Sequence, residues 1–303
     1  MYTEFVQKIT ELCPEIVVIE NEPMSAHTTF RVGGAADVFV SPSIDELITG
    51  IELCKKMKIP YLVTGNGSNL LVKDGGIEGV IFSLGKRASK VTVEGNRITA
   101  QAGAMLSLVA NNAYDNSLTG MEYEAQIPGT VGGAVVMNAG AYGGEIKDII
   151  TEAKVLLDDG NVVMWSKDDL QLSYRHSRLM DENAIVLEAT FELADGEQSE
   201  ILAKMEDFKQ QRVSKQPLDL PSAGSTFKRP DGYFAAKLID DASLRGYQVG
   251  GAQVSEKHTG FVVNKGGATA SDILSLMNDV SEKVFKDFGV KLEPEVRIIG
   301  RDL

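Results

Sequence analysis

Three stretches of the chain repeat apolar residues at helical spacing. Ser43-Ile-Asp-Glu46 reads as a capping box ahead of Leu47, Ile48, Ile51 and Cys54, and Pro60 ends the run. Ile201, Leu202, Met205 and Phe208 form a second stripe. Ile273, Leu274, Met277, Val280, Val284, Phe285 and Phe288 form a third, closed by Gly289. Between them the pattern is that of strands. Val91–Val93 and Arg97–Gln101 flank a Gly-Asn turn, and Lys154–Leu157 and Val162–Trp165 flank Asp159-Gly160, so two hairpins are expected. Tyr61–Thr64, Val80–Leu84 and Ala184–Leu193 read as further strands. Hairpins intermixed with helices make α+β the expected class.

Composition leaves this picture intact. Of 303 residues, 43% are hydrophobic and 24% charged, the balance of a globular protein with a sizeable core. A net charge of −13 argues against a nucleic-acid footprint, which needs a clustered basic surface. No apolar run approaches the ~18 residues of a membrane span, and Met1–Ile9 carries Glu4 and Lys8, unlike a signal peptide. A cytoplasmic protein without membrane insertion is expected. Cys13 and Cys54 read as core or incidental thiols.

Candidate chemistry begins with two glycine-rich segments. Gly65-Asn-Gly-Ser-Asn-Leu70 follows the strand Tyr61–Thr64, and its glycines allow a tight turn exposing backbone N–H groups to a phosphate. It is neither a P-loop nor a G-x-G-x-x-G opening a helix. The second runs from Pro128-Gly-Thr-Val-Gly-Gly133 through Asn138-Ala-Gly140 to Gly144, six glycines among small and apolar residues. A linker would carry serine and charge in place of Ile127, Val131, Val135, Val136 and Met137. Buried backbone pressed against a flat dinucleotide is the better reading.

In this order the two segments resemble the flavin-binding half of the vanillyl-alcohol-oxidase-like flavoproteins. Downstream, Tyr174-Arg175-His-Ser, Pro221-Ser-Ala-Gly-Ser-Thr-Phe-Lys228, Gly250-Gly251-Ala and Glu293-Pro-Glu-Val-Arg-Ile-Ile-Gly300 resemble the UDP-N-acetylenolpyruvoylglucosamine reductase family, in its shorter, second type. That resemblance implies FAD as cofactor and NADPH as co-substrate. It also implies a ping-pong reaction passing hydride from FAD to the vinyl carbon of an enolpyruvyl sugar nucleotide, for peptidoglycan synthesis. Carried over by motif, Ser225 is the proton donor, while Arg175 and Glu295 stabilise the intermediate. Glu295 would have to be neutral for that role. The cofactor contacts fall on Gly65, Asn66, Gly67, Ser68, Asn69, Leu70, Pro128, Gly129, Thr130, Gly132, Gly133, Asn138, Ala139 and Gly140. The substrate contacts fall on Tyr174, Lys215, Lys228, Lys237, His258 and Arg297. Arg229 stands where some relatives carry asparagine, which leaves the uracil-side contact there open. No metal ion is expected.

The implied architecture is a two-part FAD-binding domain of the vanillyl-alcohol-oxidase/PCMH type at 1–198, with subdomains at 1–78 and 79–198. A C-terminal α+β substrate-binding domain follows at 199–303, its last residues returning to the first domain. A monomer is expected. Two rivals remain at this point. One is an oxidase of the same superfamily, although neither glycine segment holds a histidine or cysteine for covalent FAD attachment. The other is an electron-transfer subunit, which needs no serine–arginine–glutamate set.

Overall fold

The computed structural model describes residues 2–303. The capping box is formed: Ser43 Oγ accepts from the Glu46 N–H, and Glu46 Oε2 accepts from the Ser43 N–H at 2.7 Å. The helix Ile44–Met57 that follows ends with Lys58 in the left-handed region, before Pro60 is reached. Both hairpins form, as Val91–Glu94 with Arg97–Gln101 and Ile150–Leu156 with Val162–Ser166. With Ile185–Glu192 they make one antiparallel five-stranded sheet.

By contacts the chain divides into two compact units. One comprises the residues up to Ile19, Phe39–Asn66 and Val80–Arg212; the other comprises Glu20–Val38, Gly67–Gly79 and Val213–Leu303. The division falls inside the strands Val17–Pro23, Ala35–Ser41 and Ile77–Ser83, and inside the helix Gln198–Lys215. It departs from the expected boundary at 198 for identifiable reasons. Gln198 Nε2 donates to the Tyr114 carbonyl at 3.2 Å, and Phe208 stacks on Tyr142 at 4.7 Å, so most of that helix belongs with the first unit. The terminal strand Arg297–Ile299 pairs in parallel with Leu70–Val72. The C-terminal strand thus pairs with an early segment that belongs to the same unit.

The first unit contains the five-stranded sheet, whose Ile98, Ala100, Ala153, Val155 and Phe191 are buried. Over the strand Ile185–Glu192 lies a short helix, Val131–Val136, formed within the second glycine-rich segment. It is anchored by backbone bonds from the Val131 N–H to the Ala104 carbonyl and from the Gly132 N–H to the Ala102 carbonyl. Periodicity did not show this helix, because glycine and alanine leave no apolar stripe to read.

The second unit is built on the helix Ala270–Phe288, capped by Thr269 and ended by Gly289 in the left-handed region. Ile273, Leu276, Met277, Val280 and Val284 enter a core with Phe30, Leu71, Phe227, Leu238 and Val262. Two positions of the expected stripe do not: Phe285 is 59% exposed and Phe288 39%. The second stripe differs further. Only Ile201 of Gln198–Lys215 is buried, and Leu202 is exposed. Cys13 and Cys54 are buried free thiols.

Candidate active site

In the first unit the two glycine-rich segments meet. A Cβ on Gly65 would stand 2.1 Å from Thr130 Oγ1, so only glycine permits this approach without displacing the threonine. Asn66 closes the contact by donating from Nδ2 to the Pro128 carbonyl at 2.8 Å. Gly133 faces outward: its Cβ position has only Thr130 Oγ1 within 4 Å, at 3.7 Å. Close-packed backbone with an open face beside it is what a flat dinucleotide requires, and the residues fit FAD.

Asn138 plays a different part from its neighbours. It is buried, with φ +40°, and its amide is used within the protein. Nδ2 donates to Glu145 Oε2 at 2.9 Å and to the Ser173 carbonyl at 3.0 Å, while Oδ1 accepts from the Lys147 N–H at 2.9 Å. Ser173 and His176 exchange backbone bonds across a tight turn whose central residues are Tyr174 and Arg175. Arg175 occupies the left-handed region at φ +55°, a conformation that costs a non-glycine residue energy and that the turn enforces. The Arg175 guanidinium lies 5.4 Å from the Tyr174 ring centroid. The adjacent charges are surface pairs: His176 with Asp181, and Arg178 with Glu182 and the Trp165 ring. Asn138, together with the buried Ser177, whose Oγ donates to the Val136 carbonyl at 2.7 Å, ties the second glycine-rich segment to the arginine turn.

The second unit brings together most of the other candidates. The Glu295 N–H donates to the Thr226 carbonyl at 2.9 Å and the Lys228 N–H to the Glu293 carbonyl at 2.8 Å, so Ser225–Lys228 and Glu293–Glu295 run as antiparallel neighbours. Asn69 Nδ2 donates to the Glu295 carbonyl at 3.1 Å, and the Arg297 N–H donates to the Asn69 carbonyl. The Thr226 N–H donates to the Gly260 carbonyl, and Thr226 Oγ1 accepts from the Val262 N–H at 2.9 Å. Asn69, Ser225, Glu295 and Arg297 therefore share one backbone framework with the loop that carries His258. Gly67 enters it at φ +62°, where a Cβ would meet the His27 carbonyl at 2.1 Å.

His258 is held neutral. Burial lowers its pKa, the nearby Arg245 lowers it further, and only a backbone hydrogen bond opposes them. Its Nδ1 accepts from the Gly260 N–H at 3.1 Å, which leaves the proton on Nε2. Lys237 is exposed, on the helix Ala235–Asp241, and pairs with Asp241 at 2.9 Å. Lys228 pairs with Glu293 at 3.7 Å, and Arg229 stacks over Phe234 at 4.0 Å. Lys215 is exposed at the end of Gln198–Lys215.

Glu124, which no sequence pattern marks, is wholly buried on the 3-10 turn Glu122–Gln126 just ahead of Pro128. A charged residue beside a glycine-rich run carries no burial signal of its own. Its neighbour Tyr123 gives the only hint, because an aromatic there packs against Gly144.

These features define the class: an FAD-binding module in a chain whose C-terminal part carries Ser225 and Glu295 on adjoining extended segments. Residues 36–166 match an FAD binding domain, and residues 216–299 match the C-terminal domain of UDP-N-acetylenolpyruvoylglucosamine reductase. The UDP-N-acetylenolpyruvoylglucosamine reductase of Agathobacter rectalis is 53% identical over 312 residues, with 99% of each chain covered. That of Clostridium perfringens is 50% identical over 302 residues, again with 99% of each covered. The crystal structure of the Thermus caldophilus reductase superposes with a TM-score of 0.80 at 33% identity, covering 94% of this chain and 98% of that one. The chain belongs to the UDP-N-acetylenolpyruvoylglucosamine reductase family.

Proposed function

We propose that this protein reduces the enolpyruvyl group of UDP-N-acetylglucosamine enolpyruvate to UDP-N-acetylmuramate, with NADPH as reductant and FAD as carrier, in peptidoglycan precursor synthesis. It works in the cytoplasm as a monomer; among the described residues no helix is long and apolar enough to cross a membrane. Gly65, Asn66, Pro128, Thr130 and Gly133 hold the FAD, which supplies the hydride when bound. Hydride reaches the vinyl carbon, and a proton must then be delivered to the carbon that carries the carboxylate. Ser225 gives that proton. Arg175 and Glu295 bind the negative charge that accumulates between the two events. Lys215, Lys228, Lys237, His258, Tyr174 and Arg297 hold the nucleotide and the reductant.

The observation that carries the reading is the rung between Thr226 and Glu295. It registers the segment that carries Ser225 against the one that carries Glu295, an arrangement that an electron-transfer subunit does not need. The test is a pair of half-reactions. Enzyme reduced by NADPH without oxygen is expected to be reoxidised by the enolpyruvyl nucleotide, and failure to reoxidise removes the assignment. Ser225→Ala leaves flavin reduction nearly intact and slows reoxidation by ~10²–10⁴-fold, the usual worth of one proton-transfer group. Equal losses in both half-reactions would make Ser225 a structural residue.

A further inference from the structure

Glu124 is 0% exposed, and no hydrogen bond reaches either of its carboxyl oxygens. The Tyr123 hydroxyl beside it is likewise without a formed hydrogen bond. A buried carboxylate with no bonded partner is costly, and such a group survives in a folded protein as the neutral acid or against a cation. The cation within electrostatic reach is Arg175. Burial pushes the Glu124 carboxyl up to about 8, while the Tyr123 hydroxyl and the Arg175 charge pull it back only in part.

Other carboxylates lie nearby: Glu122 on the same turn accepts from Thr119 Oγ1 and the Gly120 N–H, and the charge of Glu145 also meets that of Arg175. Burial first, and then the charges of Glu124, Asp148 and Glu145, raise the pKa of Tyr123 on the same turn. Glu145 is paired with Lys147 at 2.6 Å and bonded by Asn138. The helix Leu106–Asp115 that packs on the turn has only Tyr114 and Asp115 as ionisable residues, both at its far end, and the strand Gly140–Ala141 has none.

We propose that Glu124 is a positioning residue whose buried carboxyl, by holding or losing a proton, sets how much of the Arg175 charge is offered to the anionic substrate. Protonated, Glu124 leaves the guanidinium to the substrate. Ionised, it competes for the same cation, whose backbone Asn138 and the Ser173–His176 bonds hold in place. The inference rests on the reductase reading above.

Two measurements test it. In wild-type enzyme the reoxidation rate falls by roughly tenfold between pH 7 and pH 9, the worth of one charge-assisted interaction. In Glu124→Gln and Glu124→Ala it stays level over that range; the same fall in all three proteins overturns the proposal. Thermal melts across pH need no substrate. The neutral acid is favoured only in the folded state, so wild-type stability is full below the ordinary carboxyl pKa of 4.5 and is lost as pH rises towards about 8. The melting temperature of Glu124→Gln therefore gains on wild type up to about pH 8 and then runs parallel. Arg175→Ala removes the opposing charge and moves the end of that range to higher pH; an unmoved curve overturns the coupling. Wild-type enzyme that the substrate does not reoxidise removes the reductase reading, and the melts still decide whether Glu124 and Arg175 are coupled.

Discussion

Arg175 sits on a two-residue turn held to the second glycine-rich segment by buried side chains, whereas Glu295 sits on an extended segment registered by a backbone rung. Asn138 donates from the second glycine-rich segment to Ser173, with Lys147 and Glu145 completing its amide, and Ser177 donates back to Val136. Glu295 is registered by Thr226 on one side and Asn69 on the other, and the Thr226 bond is main chain to main chain. Main-chain registration tolerates substitution, because every residue but proline carries the same donor and acceptor. A side-chain clamp does not, since each buried group it satisfies is orphaned when it goes.

The largest effect is therefore expected at Asn138. Asn138→Asp keeps the shape and the acceptor for the Lys147 N–H but turns both donors into lone pairs facing Glu145 and the Ser173 carbonyl. The cost in folding stability is about 2–4 kcal/mol, read by denaturant titration. Reoxidation of the reduced flavin should slow more than flavin reduction, because the arginine turn loses one of its two side-chain anchors. An aspartate variant of wild-type stability would remove the contrast between the two modes of support.

The contrast also explains what could be read from the chain beforehand. The capping box at Ser43, both hairpins and the glycine end of Ala270–Phe288 are local devices, written within a few residues and recovered as such. Ser225 and Glu295 lay in short motifs that a resemblance could carry. The bonds from Asn138 to Ser173 and from Asn69 to Glu295 span 35 and 226 residues, and no periodicity records a partner at that distance. Phe285 and Phe288 misled for a related reason: helical spacing places them near the buried face, but whether anything covers them is decided by distant elements. The grouping of Glu20–Val38 and Gly67–Gly79 with the C-terminal residues follows from such long-range pairing, above all the parallel strand Arg297–Ile299.

A middle-sized effect belongs to Thr226, which is fully buried. Thr226→Val removes the acceptor of the Val262 N–H and leaves that donor buried and unpaired, at about 1–3 kcal/mol. The Glu295 rung uses the Thr226 carbonyl, which valine retains. Thermal stability should fall while the rate of reoxidation in the surviving folded enzyme stays within a factor of about three, a change below 1 kcal/mol in barrier. A larger loss of rate would mean that the segment carrying Glu295 depends on side chains after all.

The smallest structural effect is expected at Lys237, an exposed residue paired one helical turn away with Asp241. The pair raises the pKa of the ammonium, through the hydrogen bond and then the charge of Asp241, and so keeps it cationic at any pH where the enzyme works. Pairs of this kind, open to water, contribute little to folding. Lys237→Ala should leave the melting temperature unchanged. If the ammonium instead serves a phosphate of the nucleotide, KM rises severalfold while kcat holds, the mark of lost binding that is equal in ground and transition states. Asp241→Asn separates the two uses: it releases the lysine from its partner and should lower KM if Lys237 meets substrate. An unchanged KM in both variants would take Lys237 out of the binding surface and leave the backbone framework around Ser225 and Glu295 to be completed by other cations.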